Sequence, residues 1–490
     1  MSQLRAAAGV SLDELFADFG RRGPAGCRVT ACTADYRDVQ PGDAFVAVLT
    51  DDADGHDHAH EAVRLGAAAV ICERPIPVFD VPVYNVPDSR LAYGELCQAL
   101  VDNPCERVKV IGVAGSHGKS SVVALLQSIL HEADYEAGVL TSTHSFDGIS
   151  LAPGWGEAPS PVDVALRLAR IEAAGCTHAL MEVDSVAMAQ SRLAGVEFDS
   201  VCVTNVTTRR LDLHQTAENY RNAEHRALDQ LSATGVAVLN ADSPVCCRWL
   251  AELNSPSITF GFGDAAQITA TVVEENAGET WFVLTAGDDS AAVRTTIVGR
   301  EHVANCVAAA TTALVQGIDL ETIARGLEQV TKLPGRMERI DCGQDFPVYV
   351  DAANTADALA ASLRTARSFA AGRVICVLGD QLPHSAQETA SLNGVLRKLA
   401  DVAIVTGRAA QALGVDRQHN EHDCVQIVAD RGAAIACAAG FAERGDVVVV
   451  VGSSGRPRFA FGQKPQTGND VDAIRKALYA RQAPALRLVA

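Results

Sequence analysis

The stretch VKVIGVAGSHGKSSVVALLQSIL, Val108–Leu130, decides the reading of this chain. VKVIGVAG reads as a strand, GSHGKS as a tight turn and SVVALLQSIL as a helix. Glycines let a backbone wrap closely, and a helix N-terminus points N–H donors at an anion. Lys119 then neutralises terminal phosphates, and the Ser120 hydroxyl joins a Mg²⁺ shell. The loop is not the strict phosphate-binding pattern, because Val113 stands in the place of its first glycine. The plain alternative is an ordinary glycine turn; the Lys-Ser pair in a strand–turn–helix context favours a nucleotide phosphate.

Working outward, the same rhythm continues. AGVLTST, THALMEV, SVCVTNV and GVAVLNA read as strands, separated by helical stretches such as Val162–Ala174 and Ala217–Ser232. Such alternation predicts a doubly wound, mostly parallel sheet. QITATVVEE, NAGE and TWFVLTA predict a hairpin on its flank, with helices from about His302 to Val330. Before this block lies a small α/β unit, with Ala44–Leu49 and Ala67–Ile71 as strands and Asp102–Arg107 as a linker. After Leu333-Pro334-Gly335 come FPVYVDA, RVICVLGD, DVAIVTG, CVQIVAD and DVVVVVGS, the strands of another open α/β sheet. The expected architecture is α/β throughout, in three domains. Residues 1–104 form a small N-terminal domain, 105–332 a central P-loop-type doubly wound ATPase domain, and 333–490 a Rossmann-like C-terminal domain.

Composition narrows the partners. In 490 residues, 41 Lys and Arg stand against 60 Asp and Glu, a net charge of −19 that repels a phosphate backbone and argues against nucleic acid. No apolar stretch is long enough to span a bilayer, and the start lacks a secretory pattern, so a cytoplasmic location is expected; a monomer is the expected state. The 14 cysteines contain no C-x-x-C, which fits reduced thiols better than a zinc site or disulfides.

In the order and spacing of these motifs, the whole chain resembles the ATP-dependent Mur ligases, specifically the UDP-N-acetylmuramoyl-tripeptide synthetases of the MurE type. Gly115–Ser120 resembles that family's G-T-x-G-K-T/S loop. PGDAFVAV followed by DGHD is similar to its UDP-substrate domain, and MEVDS to its M-E-V-S-S. FDSVCVTNVT before LDLH, then VLNAD, HVAN and LPGRMERI, all follow in family order. The resemblance implies that ATP phosphorylates a substrate carboxylate and that an amine attacks the acyl phosphate, giving an amide, ADP and phosphate. The implied small-molecule partners are ATP with Mg²⁺, a UDP-muramoyl-peptide and an amino acid. The ATP site would comprise Gly115, Ser116, His117, Gly118, Lys119, Ser120, Ser121, Asn305 and Arg336. Lys119, Glu182, His214 and Arg336 would carry catalysis, with Mg²⁺ at Ser120, Glu182 and Glu224. The UDP substrate would meet Asp35, Arg37, Asp54, Gly55, His56, Asp57 and Ser160.

Several places depart from the family pattern. S-S-H becomes Asp184-Ser185-Val186, so a metal-binding histidine is missing, although Asp184 offers the oxygen that Mg²⁺ prefers. The D-H before L-D-x-H is Arg209-Arg210, which either clamps phosphate oxygens or forms surface pairs. The position of the family's carbamylated lysine holds Glu224, either a replacement Mg²⁺ ligand or a helix-surface glutamate. Glu182 has its own plain reading as a solvated strand-end carboxylate, Asn305 as a helix cap and Arg336 as a surface residue. His56, His58 and His60 alternate and offer a metal-site alternative to the UDP loop. In the third domain D-Y-A-H-T-P becomes Asp351-Ala352-Ala353-Asn354-Thr355-Ala356, and D-N-P-R has no counterpart after AIVTG. G-C-G-G-D-R-D is reduced to Gly379-Asp380, and G-K-G-H-E is replaced by Gly452-Ser453-Ser454-Gly455-Arg456. Recognition of diaminopimelate or lysine is therefore not carried over. The alternatives to a ligase of this type are a non-catalytic relative that binds nucleotide or UDP-precursor as regulator or scaffold, and a ligase of the folylpolyglutamate kind.

Overall fold

The computed structural model describes residues 4, 8–50, 53–156, 158–207, 211–379, 386–406, 425–452 and 470–482. Its contacts divide the chain into two compact units, Met1–Gln267 with Ala308–Ile318, and Ile268–Val307 with Asp319–Ala490.

The first unit holds a two-stranded ladder, Val10–Ser11 against Arg28–Val29, and two larger sheets. The N-terminal one runs Gly20–Arg22, Val83–Asn85, Ala69–Cys72, Ala44–Val46, Cys32–Thr33, parallel except for its first pair. Ala44–Val46 and Ala69–Cys72 are buried at every position, as strands covered on both faces must be.

In the second sheet of this unit, Lys109–Ala114 lies at the centre. His178–Glu182 and then Ala137–Leu140 flank it on one side, and Phe198–Val203, Leu231–Asn240 and Ser257–Gly261 on the other, all parallel. The chain thus leaves the central strand in one direction and returns to the other, which opens a crevice at the strands' carboxyl ends. Helix Lys119–Glu132 buries Val122, Leu125, Leu126, Ile129 and Leu130, an i, i+3, i+4, i+7, i+8 stripe. Helix Pro161–Ala173 buries Val164, Leu168 and Ile171, and each such side chain contributes about 1.5–3 kcal/mol when fully removed from water. Pro161 opens that helix and Ser160 caps it, its Oγ accepting from Asp163 N–H at 3.1 Å.

The second unit begins with an antiparallel meander, Ile268–Glu275, Thr280–Ala286 and Asp289–Thr295. The expected hairpin is present, and a third strand extends it. The unit's six-stranded sheet runs Glu338–Arg339, Val348–Asp351, Val447–Val451, Val374–Leu378, Val402–Val405, Val425–Ile427, parallel after its first pair. Helices Ala356–Phe369, Ala386–Leu399, Arg431–Phe441 and Asp470–Gln482 complete it. The described cysteines are all free, and no described helix is long and apolar enough to cross a membrane.

Candidate active site

Three neighbouring strand ends meet at the crevice. From the central strand comes Gly115–Gly118, from the strand on one side Glu182, and from the strand on the other Thr204–Thr207. Gly115 adopts φ 120°, and a Cβ there would collide with Thr204 Oγ1 and stand 2.7 Å from the Asn205 carbonyl oxygen. Glycine is required on both counts.

Neighbouring groups hold the loop amide by amide. Gly115 N–H donates to Glu224 Oε2 at 2.9 Å, Ser116 N–H to Asn205 O at 2.9 Å and His117 N–H to Asn205 Oδ1 at 3.1 Å. The His117 carbonyl accepts from Thr204 Oγ1 at 2.6 Å and from Asn205 Nδ2 at 3.2 Å. From Gly118 the chain enters the helix, whose first N–H groups have no intrahelical acceptor, as at any helix N-terminus. Lys119 Nζ donates to the Gly115 carbonyl at 2.8 Å, and the Ser121 side chain is buried beneath the turn.

Ser120 Oγ donates to Glu182 Oε2 at 3.1 Å, and Ser142 reaches the same oxygen through its N–H and its Oγ, both at 3.3 Å. Glu182 is 9% exposed, so the reading of it as a solvated strand-end carboxylate is corrected. A carboxylate and a hydroxyl converging beside the phosphate loop are the hard oxygen donors that suit Mg²⁺, an ion that keeps several waters of its own. Among the described residues no group of three or more His, Cys, Asp and Glu is arranged to hold a metal. Asp184 caps the helix Ser185–Ala189 by accepting from Val186 N–H at 2.9 Å. His214, buried, places Nε2 3.0 Å from Ser185 Oγ and its ring edge-on to Tyr220, 5.2 Å between centroids.

Glu224 is 1% exposed, which corrects the reading of it as a helix-surface glutamate. Its helix, Ala217–Asp229, buries Tyr220, Ala223, Glu224, Ala227 and Leu228, so the carboxylate sits on the apolar stripe. Tyr220 OH donates to Glu224 Oε1 at 2.7 Å and lies 2.8 Å from Ser116 Oγ. Burial pushes the Glu224 carboxyl up, against the Lys119 charge and the bonds from Tyr220 and Gly115.

The two elements assigned to the UDP substrate also come together. Asp35 caps the turn Tyr36–Asp38 and holds Arg37 Nη2 at 2.6 Å; that guanidinium keeps the Asp35 carboxyl below its ordinary range. Tyr36 stacks on His58, 4.4 Å between centroids. Asp54 caps the turn Gly55–His58 and ties Arg74 Nη2 at 2.7 Å, Gly55 N–H bonds Val48 O at 3.0 Å, and Asp57 lies 3.4 Å from Arg74. His56 accepts from Glu73 N–H at Nε2, 3.0 Å, and meets Asp54 through Nδ1 at 2.6 Å. Both ring nitrogens are engaged in holding the loop, so the three-histidine metal alternative loses this member. Ser160 is placed as a helix cap.

Asn305 and Arg336 belong to the second unit. Asn305 is half-buried inside the helix Arg300–Val315, which corrects its reading as a cap. Arg336, also half-buried, sits in a turn laced to the former D-Y-A-H position. Met337 N–H donates to Asp351 Oδ2 at 2.9 Å, and Ala352 N–H to the Gly335 carbonyl at 2.8 Å. Burial raises the Asp351 carboxyl, opposed by the Met337 bond and the Arg336 charge. Arg209-Arg210, residues 380–385, Gly407 and residues 453–456 lie outside the described residues.

Comparison with known proteins decides the family. Three family models match in succession: Mur ligase family, catalytic domain, over residues 28–99; Mur ligase middle domain over 113–313; and Mur ligase, glutamate ligase domain, over 335–454. The UDP-N-acetylmuramoyl-L-alanyl-D-glutamate--2,6-diaminopimelate ligase of Geobacillus kaustophilus is 34% identical over 441 residues, 86% of this chain and 89% of that protein. The chain belongs to the Mur ligase family. Among solved structures, one titled as a UDP-N-acetylmuramoyl-L-alanyl-D-glutamate--2,6-diaminopimelate ligase matches with TM-score 0.72 at 22% identity, covering 97% of this chain and 99% of that one. The MurF ligase from Thermotoga maritima in complex with ADP matches with TM-score 0.61 at 18% identity, covering 92% and 97%. These likenesses fit the three-domain Mur architecture.

Tyr220, Thr204, Asn205, Ser142 and Ser185 complete the site; Thr204-Asn205 and Ser185 lie in motifs quoted from the sequence but carried no assigned role there. For Tyr220 a signal existed: it precedes Glu224 by four residues, on the same helical face.

Proposed function

We propose that this chain is an ATP-dependent amide ligase, which activates the terminal carboxylate of a UDP-N-acetylmuramoyl peptide as an acyl phosphate and joins an amine to it. The observation that carries the reading is the phosphate loop with Ser120 and Glu182 converging beside it, in a chain 34% identical to a ligase over 86% of its length. Lys119 and the helix N-terminus bind the nucleotide phosphates and offset charge where the phosphoryl group moves. Ser120 and Glu182 would hold Mg²⁺, which when bound supplies charge neutralisation at the phosphates. His214 and Ser185 line the same crevice. Asn305 and Arg336 are assigned to the adenine and the phosphates, and residues 1–104, 105–332 and 333–490 to UDP substrate, ATP and amine respectively.

The uridine diphosphate end is assigned to Asp35–Arg37 and Asp54–Asp57, where Arg37 is 73% exposed at its side chain and free to exchange Asp35 for a phosphate. Ser160 is assigned to the sugar-linked end. The reading places the enzyme in the cytoplasm as a monomer.

The test is ADP and phosphate release from ATP with UDP-N-acetylmuramoyl-L-alanyl-D-glutamate and single amino acids, with and without Mg²⁺. Release that needs both the muramoyl substrate and one amino acid, and falls away without Mg²⁺, is the expected result. Tight ADP binding without release under any amine would overturn the ligase assignment.

A further inference from the structure

Glu224 is an acidic side chain with almost no water around it, and such a group persists only where hydrogen bonds replace the lost solvation. Its two oxygens have those bonds, one to the Gly115 amide and one to the Tyr220 hydroxyl. Gly115 is the residue at which the central strand ends and the phosphate loop turns, at φ 120°. Its carbonyl is already taken by Lys119, and Thr204 and Asn205 stand against its α-carbon. The amide is therefore the remaining handle on its orientation. Tyr220 OH, its proton given to Glu224, lies 2.8 Å from Ser116 Oγ, which accepts from Thr207 N–H at 2.8 Å and has two acceptors for its own proton, the Tyr220 oxygen and the Thr207 carbonyl at 2.9 Å. Two strand ends are thereby stitched together under the loop.

We propose that Glu224 is a positioning residue of the nucleotide site, a buried carboxylate that fixes the Gly115 amide and, with Tyr220, holds the phosphate loop open to an anion before any ligand arrives. The proposal rests on the nucleotide-binding part of the function proposed above. It differs from a Mg²⁺-ligand role, because one carboxylate oxygen holds the Gly115 amide, the other accepts from Tyr220, and neither takes part in the Ser120–Glu182 contact. Preorganisation of this kind acts on ligand affinity, since a loop held in the receiving shape loses little freedom on binding.

The experiment is calorimetric titration of the full chain with ADP in fixed excess Mg²⁺, and then with Mg²⁺ at fixed ADP, for the parent and for E224A, E224Q and Y220F. E224A is expected to weaken ADP at least about tenfold, whereas E224Q, whose amide oxygen still accepts from Gly115 N–H, stays within about threefold of the parent. Y220F is expected to lose about threefold, and the half-saturating Mg²⁺ concentration to stay the same across the series. If E224A does not fold by circular dichroism, Y220F decides, and parent-like affinity there overturns the proposal. Parent-like affinity in a folded E224A overturns it, and so does a shift in half-saturating Mg²⁺ in E224Q, which would make Glu224 a metal ligand. A parent that binds no ADP would instead sink the nucleotide reading itself, and this proposal with it.

Discussion

The Lys119 ammonium folds back onto the carbonyl of its own loop, 2.8 Å from the Gly115 oxygen. A phosphate arriving at the helix N-terminus offers a charged acceptor in place of a neutral one, and charged hydrogen bonds are the stronger kind. Lys119→Ala therefore removes a ligand contact while costing the protein only about 1 kcal/mol of loop hydrogen bond. ADP affinity should fall at least about tenfold with an almost unchanged denaturant midpoint, and equal affinity in mutant and parent would count against the phosphate-loop assignment. At Glu182 the expectation differs in kind. Glu182→Gln keeps an oxygen for Ser120 and Ser142 but gives up the charge, so Mg²⁺ should bind about tenfold more weakly while metal-free ADP binding is retained. Equal weakening with and without Mg²⁺ would show a positional defect instead. These two residues were legible because their chemistry is local: Lys119 follows its glycines directly, and Glu182 ends an apolar strand. Tyr220, Thr204 and Asn205 were not, since what they do depends on strands that meet only in the folded sheet. The pair Ser116–Thr207 spans 91 residues of chain. Glu224 lay between these cases, its number matching a family position while its burial followed from the stripe it shares with Tyr220, Ala223, Ala227 and Leu228.

At the scale of elements, the alternation of apolar runs and helical stretches marked out the parallel sheets, because a strand buried on both faces needs a continuous apolar run. The third strand of the meander, Asp289–Thr295, escaped notice for the opposite reason. DSAAVRT has a single β-branched apolar residue, Val293, and acquires strand form from its pairing with Thr280–Ala286. Asn305 shows a similar shift, since a residue read as a cap stands within a helix that begins earlier, at Arg300. The turn after the central strand is the element on which the site depends most, and two glycines at positive φ bracket its cost, Gly287 inside the small left-handed region and Gly115, at φ 120°, well outside it. Gly287 has φ 62°, and a Cβ added there would meet nothing within 4 Å, so Gly287→Ala carries only the backbone penalty, about 1 kcal/mol. Gly115→Ala adds overlap with Thr204 and the Asn205 backbone, so a loss of more than about 2 kcal/mol is expected, together with weakened ADP binding. Equal losses in urea titrations of the two variants would mean that the loop yields, and that its tight packing against Thr204 is dispensable.

At the scale of the whole molecule, acid should undo the fold earlier than its carboxylates alone would. Two of the buried histidines, one in each compact unit, are held neutral by their burial. His178 opens the strand next to the phosphate loop's own, with Nδ1 2.8 Å from Thr177 Oγ1 and a buried Nε2 that has no hydrogen-bond partner among the described residues. His302 lies within reach of Thr295 Oγ1 at 3.0 Å and Cys306 Sγ at 3.4 Å. Burial lowers both imidazoles from 6.5 to about 4. In the unfolded chain each is protonated below about pH 6.5, whereas the folded chain resists protonation until about pH 4, so the unfolded state binds more protons across that interval. Stability is full above pH 6.5 and declines as pH falls toward 4, by on the order of 3 kcal/mol for each histidine. Below that, Asp446, held to about 2 against the pull of burial by its Arg373 partner, loses its own contribution as pH drops from about 4 toward 2. The melting temperature should therefore slope downward between pH 6.5 and 4.5. His178→Gln, which keeps a hydrogen-bonding group for Thr177 but does not titrate, should make that slope shallower, leaving the His302 share and the Asp446 limb in place. A slope unchanged in His178→Gln would mean that His178 gains water or a partner in solution, and that the acid sensitivity of this unit arises elsewhere.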